Sequence, residues 1–201
     1  MIGMPIGYSI WPSIWNALHS VLNACWIKEN VWMPRPKPPS RPVKISDLHG
    51  HFHEFSPQEI HFRPAAYGLL VQNQQILLSL SRFSGKWDLP GGGIEPWETL
   101  EAGLTREFFE ETGLVVNVQQ FLGLRESFIA FFRYPFHSLR FYYQVENTSS
   151  SSQELKPENH ELLDLKWWPL DQIPLSQMNA DDISIIQHYL QGQGPGKPVT
   201  N

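Results

Sequence analysis

Residues 88–114 read DLPGGGIEPWETLEAGLTREFFEETGL, and the seventeen residues from Glu95 to Glu111 hold six glutamates, one arginine and no lysine. Leu100, Leu104 and Phe108 recur at i, i+4 and i+8, which predicts an amphipathic helix from Thr99, as N-cap, to about Thr112. Gly113 follows where a left-handed helix terminus favours glycine. On that helix Glu107, Glu110 and Glu111 stand at i, i+3 and i+4, so their carboxylates share one face, one turn apart. Like charges at this spacing cost an isolated helix about 0.2–0.5 kcal/mol per pair, and only Arg106 is close in sequence to offset them. The bland meaning of such a cluster is a solvated acidic face. The sharper one is a platform for a hard divalent cation, since Mg²⁺ takes oxygen from one or two carboxylates and completes its shell with water and substrate phosphate.

The spacing around the helix decides between them. Gly92, five residues, Glu98, seven residues, Arg106-Glu107-Phe108, one residue, Glu110-Glu111, one residue and Gly113-Leu114 match the signature of the Nudix hydrolase family, which this chain resembles. With seven fixed Gly, Glu or Arg positions at usages of about 7% each, a chance match is on the order of one in 10⁸ per starting point. A preceding W-x-L-P-G-G (Trp87 to Gly92) and a later E-x2-D-x2-W-x-P-L (Glu161 to Leu170) also resemble the family, and the likeness runs over about residues 62–190.

The resemblance implies an α/β fold of the α+β kind, an α/β/α sandwich around a mixed β-sheet, with the box as loop, helix and loop. It implies hydrolysis of a nucleoside diphosphate linked to another moiety by water attack on phosphorus, with Mg²⁺ as cofactor and Mn²⁺ as a substitute. Glu107, Glu110 and Glu111 carry over as metal ligands, with Glu98 as a further ligand or a support for them. Arg106 carries over as the residue that orients a box glutamate by salt bridge. The general base is a box glutamate, Glu110 among them, or one of Glu154, Glu158 and Glu161 in a later loop; spacing to Trp167 favours Glu161, then Glu158. Gly91, Gly92 and Gly93 let the backbone turn tightly and come close to other groups. Aromatic faces can stack a nucleobase, and Phe128 and Trp167 are the candidates, although Phe131, Phe132 and Trp168 share their runs and most of these rings belong to a core. The chain departs from the family at Trp97, where many members have glycine, and at Gly103, where alanine is usual and glycine costs a helix roughly 1 kcal/mol.

Outward from the box, AAYGLLV, a turn at Gln72–Gln75 and ILLSLSR predict a hairpin. VVNVQQFLGL, SFIAFFRY and LRFYYQV predict three strands separated by polar or proline-bearing breaks, LLDLKWW a further strand, and DDISIIQHYL a last helix. NTSSSSQELKPENH between them is long for a loop in a small domain and is expected as a disordered segment or a lid.

The 201 residues suit one domain with extensions. The expected division is an apolar N-terminal extension over 1–33, a proline-rich linker over 34–48, the hydrolase domain over 49–191 and a frayed tail over 192–201. In Ile6–Ile27, Pro12, Asn16, His19, Ser20 and Asn23 interrupt the apolar run, so a short amphipathic helix is expected there rather than a membrane span or signal; Met33 is an alternative start. PRPKPPSRP (Pro34–Pro42) favours an extended polyproline spacer, and its PxxP spacing also suits an aromatic groove on a partner. A net charge of -5 gives no field that would draw nucleic acid or an anionic membrane. The one cysteine, Cys25, suits a reducing compartment, and the cytoplasm is expected. His49, His51 and His53 alternate and would share one face of a strand, which resembles a transition-metal site as well as an exposed polar strand.

The expected partner is a small nucleotide-derived substrate; a homodimer is compatible with the chain. The SQPWPFPxS array associated with NADH hydrolysis is missing, and no proline stands about fifteen residues after Leu114, where ADP-ribose hydrolases often carry one; the next is Pro135. A nucleoside triphosphate or a nucleotide sugar is therefore the first expectation and ADP-ribose the second. The alternative function is a non-catalytic nucleotide sensor or protein-binding module on the same fold, whose usual mark, a lost box carboxylate, is missing here.

Overall fold

Ala66 and Leu70 of the strand His61–Gln72 pack into one core and Leu69 into another, because side chains along a strand alternate between its faces. The computed structural model describes residues 37–148, 155 and 160–192. The chain divides at Pro39/Ser40 into two units, and the described elements all lie in the second. They are β1 (Val43–Asp47), β2 (Phe52–Phe55), β3 (His61–Gln72), β4 (Gln75–Ser81), β5 (Trp87–Asp88), β6 (Gly91–Gly93), α1 (Leu100–Thr112), β7 (Val116–Phe131), β8 (Tyr134–Asn147), β9 (Leu162–Pro169) and α2 (Ala180–Leu190).

The strands hydrogen-bond in the order β2-β1-β7-β8-β3-β4-β5, with β6 added to β3 and β9 to β4. β3 runs parallel to β8 and β1 parallel to β7, while the other pairs are antiparallel, so the sheet is mixed as expected. Leu104 and Phe108 of α1 close the core that holds Ala66, Leu70, Leu77 and Val145. Ile185 and Ile186 of α2 close the other, with Leu69, Ile76, Leu78 and Tyr142. Each such side chain contributes roughly 1.5–3 kcal/mol by leaving water, and together they fix one helix to each face. The fold is the expected α+β sandwich.

Two local expectations need correction. Val43–Asp47 lies in the stretch expected as linker to residue 48, yet it is a strand: Ile45 is buried, and Ser46 and Asp47 pair with Ile129 and Ala130 of β7. The proline spacer therefore ends near residue 42. VVNVQQFLGL and SFIAFFRY were expected as separate strands, yet they form one, β7, with bulges at Val118/Gln120 and Phe121/Gly123. The polar pair between them does not break it, because Arg125 Nη2 donates to Ser184 Oγ at 2.8 Å and Glu126 meets His137 Nε2 at 2.6 Å.

The β3–β4 turn, Asn73-Gln74, takes positive φ of 51° and 60°, the geometry of a two-residue hairpin that follows the strand twist. His49 and His51 lie outside β2 and only His53 inside it, so the histidines do not line one strand face. They gather on Asp47 instead: the backbone N–H groups of His49 and His51 donate to its Oδ1, and His53 Nε2 lies 3.0 Å from its Oδ2. The N-terminal apolar segment, the tail from residue 193 and most of the polar loop lie outside the described residues. Among the described residues no helix is long and apolar enough to cross a membrane.

Candidate active site

The box loop and helix meet where Gly91 pairs with Tyr67 of β3. Gly91 has φ 140°, and a Cβ there would collide with Ala66 O and stand 2.7 Å from Tyr67 Cα, so no other residue fits. The backbone N–H of Gly91 then donates to Glu111 Oε2 at 3.0 Å, which anchors the helix's last turn to the loop. At the other end Thr99 Oγ1 accepts from Ala102 N–H at 3.2 Å, as an N-cap should. Gly103 has its own reason: a Cβ there would come 2.5 Å from Ile94 Cδ1, so the position trades helix propensity for a close loop contact.

Arg106 ties the carboxylates together. Its Nε and Nη2 donate to Glu98 at 2.7 and 2.9 Å, its Nη1 to Glu107 at 2.9 Å and, more weakly, to Glu110 at 3.4 Å, and its Nη2 also to Gly93 O at 3.2 Å. Both oxygens of Glu98 are occupied by this fork, which holds its carboxyl well below the usual range. Glu107 lies against the box loop, its Oε2 2.5 Å from where a Gly92 Cβ would stand. Glu110 is 44% exposed at the side chain and, among the described residues, is held only by the long contacts to Arg106.

Glu111 is buried and, among the described residues, has no ion pair. Burial pushes its carboxyl up to about 8, against the Gly91 N–H, and the charges of Glu107, Asp88 and Glu161 push the same way. Burial also raises Glu107, against the pull of Arg106. The donors here are hard oxygens, and a desolvated carboxyl among like charges favours a cation. Among the described residues no three carboxylate or imidazole groups converge as a complete metal cage. Mg²⁺ needs no such cage, because one or two carboxylates, water and phosphate suffice, so the residues fit a hard divalent ion.

The raised pKa has a sign for stability. A carboxyl that binds its proton more tightly when folded contributes stability that is complete below its unfolded value of 4.5 and is lost as the pH rises through about 8. Asp88, raised from 3.8 to about 7 chiefly by burial and next by Asp182, adds to the same trend. The melting temperature of metal-free protein should therefore fall between pH 5 and pH 8, and Glu111→Gln should flatten that fall. A pH slope unchanged by the substitution would count against the buried, unpaired carboxyl.

Beside the box, Asp182 is fully buried in a network that joins α2 to the sheet. It accepts from Tyr142 Oη at 2.7 Å, from Arg140 Nη2 at 3.1 Å and from Leu89 N–H at 3.1 Å, while Asn179 Nδ2 donates to Asp88 Oδ1. The Arg140 guanidinium lies 4.4 Å over the Tyr67 ring. Sequence reasoning missed this group; its one signal was a lone arginine inside the aromatic run LRFYYQV.

The helix brings Glu107, Glu110 and Glu111 together with Arg106, Glu98, Gly91 and Gly92 around one loop. Glu161, exposed just before β9, is close enough for its charge to act on Glu111. Glu154 and Glu158 lie outside the described residues. Phe128, on β7, stacks on His137 with ring centroids 4.5 Å apart, and Trp167 packs against the core under α1.

The family model of the NUDIX domain matches residues 61–189. An oxidized purine nucleoside triphosphate hydrolase of Danio rerio is 32% identical over 127 residues, 61% of this chain and 76% of that protein. An ADP-ribose pyrophosphatase of Methanocaldococcus jannaschii is 38% identical over 71 residues, 34% of this chain and 42% of that protein. The solved structure of a MutT NUDIX hydrolase from Burkholderia pseudomallei aligns at a TM-score of 0.53 and 22% identity, over 63% of this chain and 97% of that one, a likeness of fold.

Proposed function

The chain belongs to the Nudix family and is a hydrolase of the phosphoric anhydride in nucleoside diphosphate derivatives; from that premise we propose that it requires Mg²⁺, takes a nucleoside triphosphate and releases the monophosphate. Glu111 carries the metal requirement: a buried carboxyl, raised by burial and by neighbouring carboxylates, with one backbone N–H for a partner among the described residues. The intact set Glu98, Arg106, Glu107, Glu110 and Glu111 supports catalysis over mere nucleotide sensing.

One or two of Glu107, Glu110 and Glu111 would hold the ion, which when bound supplies Lewis-acid neutralisation of phosphate charge; Mn²⁺ offers the same chemistry. Arg106 fixes Glu107 through their 2.9 Å bond and is itself fixed by Glu98. Water attacks one phosphorus of the anhydride, the new O–P bond forms as the P–O bond opposite breaks, and the leaving phosphate departs in line. Glu161 accepts the proton released by the water; its exposure keeps it reachable by substrate, and Glu158 is the second candidate. Gly91 and Gly92, whose missing side chains let the loop lie close against Tyr67 and Glu107, are the loop glycines offered to the phosphates, and Phe128 is an exposed ring offered to a base. The lone Cys25 fits work in the cytoplasm.

The triphosphate assignment rests on the likeness to the Danio rerio protein, whose name specifies oxidized purine nucleoside triphosphates, and ADP-ribose is the competing substrate on the shorter likeness. Purified protein with Mg²⁺ should convert oxidized or unmodified purine nucleoside triphosphates to monophosphate and pyrophosphate faster than it cleaves ADP-ribose or a nucleotide sugar, and chelation should stop it. Preference for ADP-ribose would overturn the substrate and leave the hydrolase standing.

A further inference from the structure

Arg63 stands in β3, two residues before Ala65, which pairs with Gly93. A Cβ at Gly93 would lie 3.1 Å from Arg63 Nη2 and 3.4 Å from both Cζ and Nε, so the guanidinium lies broadside against the glycine. Its charge reaches Glu107, whose carboxyl it helps to hold ionised against burial. Among the described residues, however, the Arg63 guanidinium makes no hydrogen bond and no ion pair, and the residue is half-buried. Arg106 across the loop is the opposite case, with its donors spent on Glu98, Glu107, Glu110 and Gly93 O.

A guanidinium carries five donors in a rigid fork and no acceptor, and leaving it half-buried without a partner is costly. The carboxylates opposite repel the anion that the reaction must bring to them, so a free cation next to the loop has a chemical use. We propose that Arg63 binds the substrate, taking two non-bridging oxygens of the phosphate that is not attacked in its planar fork above Gly93. Gly93 serves this by having no side chain to push the guanidinium aside. The assignment rests on the hydrolase reading only for the identity of the phosphate's owner.

Methylenediphosphonate with Mg²⁺, titrated by calorimetry, is a probe that cannot be hydrolysed. Losing charge-assisted bonds to phosphate should weaken its binding by about ten- to a hundredfold in Arg63→Ala, with Arg63→Lys in between because it keeps the charge and loses the fork. Gly93→Ala should move affinity in the same direction. Mn²⁺ affinity without the probe, read by electron paramagnetic resonance, should change by less than about twofold, and KM should rise more than kcat falls. Unchanged probe affinity in Arg63→Ala, no probe binding by the wild type, or an equal change in Mn²⁺ affinity would overturn the proposal, the last by making Arg63 only a counter-charge to Glu107. Arg63-dependent probe binding by a wild type that hydrolyses no member of the substrate panel would instead keep this site and remove the hydrolase mechanism.

Discussion

Replacing Glu110 with glutamine should lower kcat by about 10³-fold, the rate equivalent of the several kcal/mol that metal-assisted charge stabilisation supplies. The fold should survive, because Glu110 is 44% exposed at the side chain and, among the described residues, its side chain meets only Arg106, at 3.4 Å. Metal-free stability should even rise by about 0.2–0.5 kcal/mol, since one like charge leaves the face shared with Glu107. Single-turnover rates beside thermal melts of both proteins check the pair of effects. A stable variant with wild-type turnover would return the helix to a solvated acidic surface.

Asp182→Ala should cost about 3–5 kcal/mol of folding stability, because it strips a buried cation of its partner. The carboxylate is fully buried, and its removal leaves Arg140, the Tyr142 hydroxyl and the Leu89 N–H facing one another without an acceptor. Among the described residues Arg140 Nε already lacks a partner, and the guanidinium has no other bond to fall back on except its 3.7 Å approach to Asp181. Typical domains have about 5–15 kcal/mol in all, so urea melts should show a large loss at 25 °C. Asp182→Asn, which keeps an oxygen acceptor, should lose less. A cost below about 1 kcal/mol for the alanine variant would mean that the network holds nothing together.

These two expectations mark what a sequence can and cannot carry. The box helix was legible because everything that makes it is local: the leucine and phenylalanine spacing, Thr99 at the cap, and Gly113 with φ 74° at the end. The shared face of Glu107, Glu110 and Glu111 follows from the helical period alone. The β3–β4 hairpin was legible for the same reason. The Asp182 network was not, because its partners stand 40, 42 and 93 residues away and only the folded sheet brings them together. β1 was hidden by the prolines before it, and its pairing with β7 crosses more than eighty residues of sequence.

Arg63 shows a further limit. Nothing in its neighbours marks it, and only the register of β6 on β3 sets it against Gly93. The aromatic candidates divided for a similar reason. Strand alternation sends Trp167 under α1 and Trp168 toward Trp87 on the other face, and no composition argument could assign those faces before the β4–β9 register was known. Family resemblance supplied the chemistry of the carboxylates; the structure supplied the loop, the cation and the buried network around them.

Hydrolysis in ¹⁸O-enriched water with Mg²⁺, read by mass spectrometry of both products, tests the central claim most directly. Water attack on phosphorus predicts one ¹⁸O in a phosphate group of either the monophosphate or the released pyrophosphate, and about a thousandfold less labelled product from Glu110→Gln at matched times. Absence of turnover in the wild type, or label on a carbon-bound hydroxyl, would contradict it.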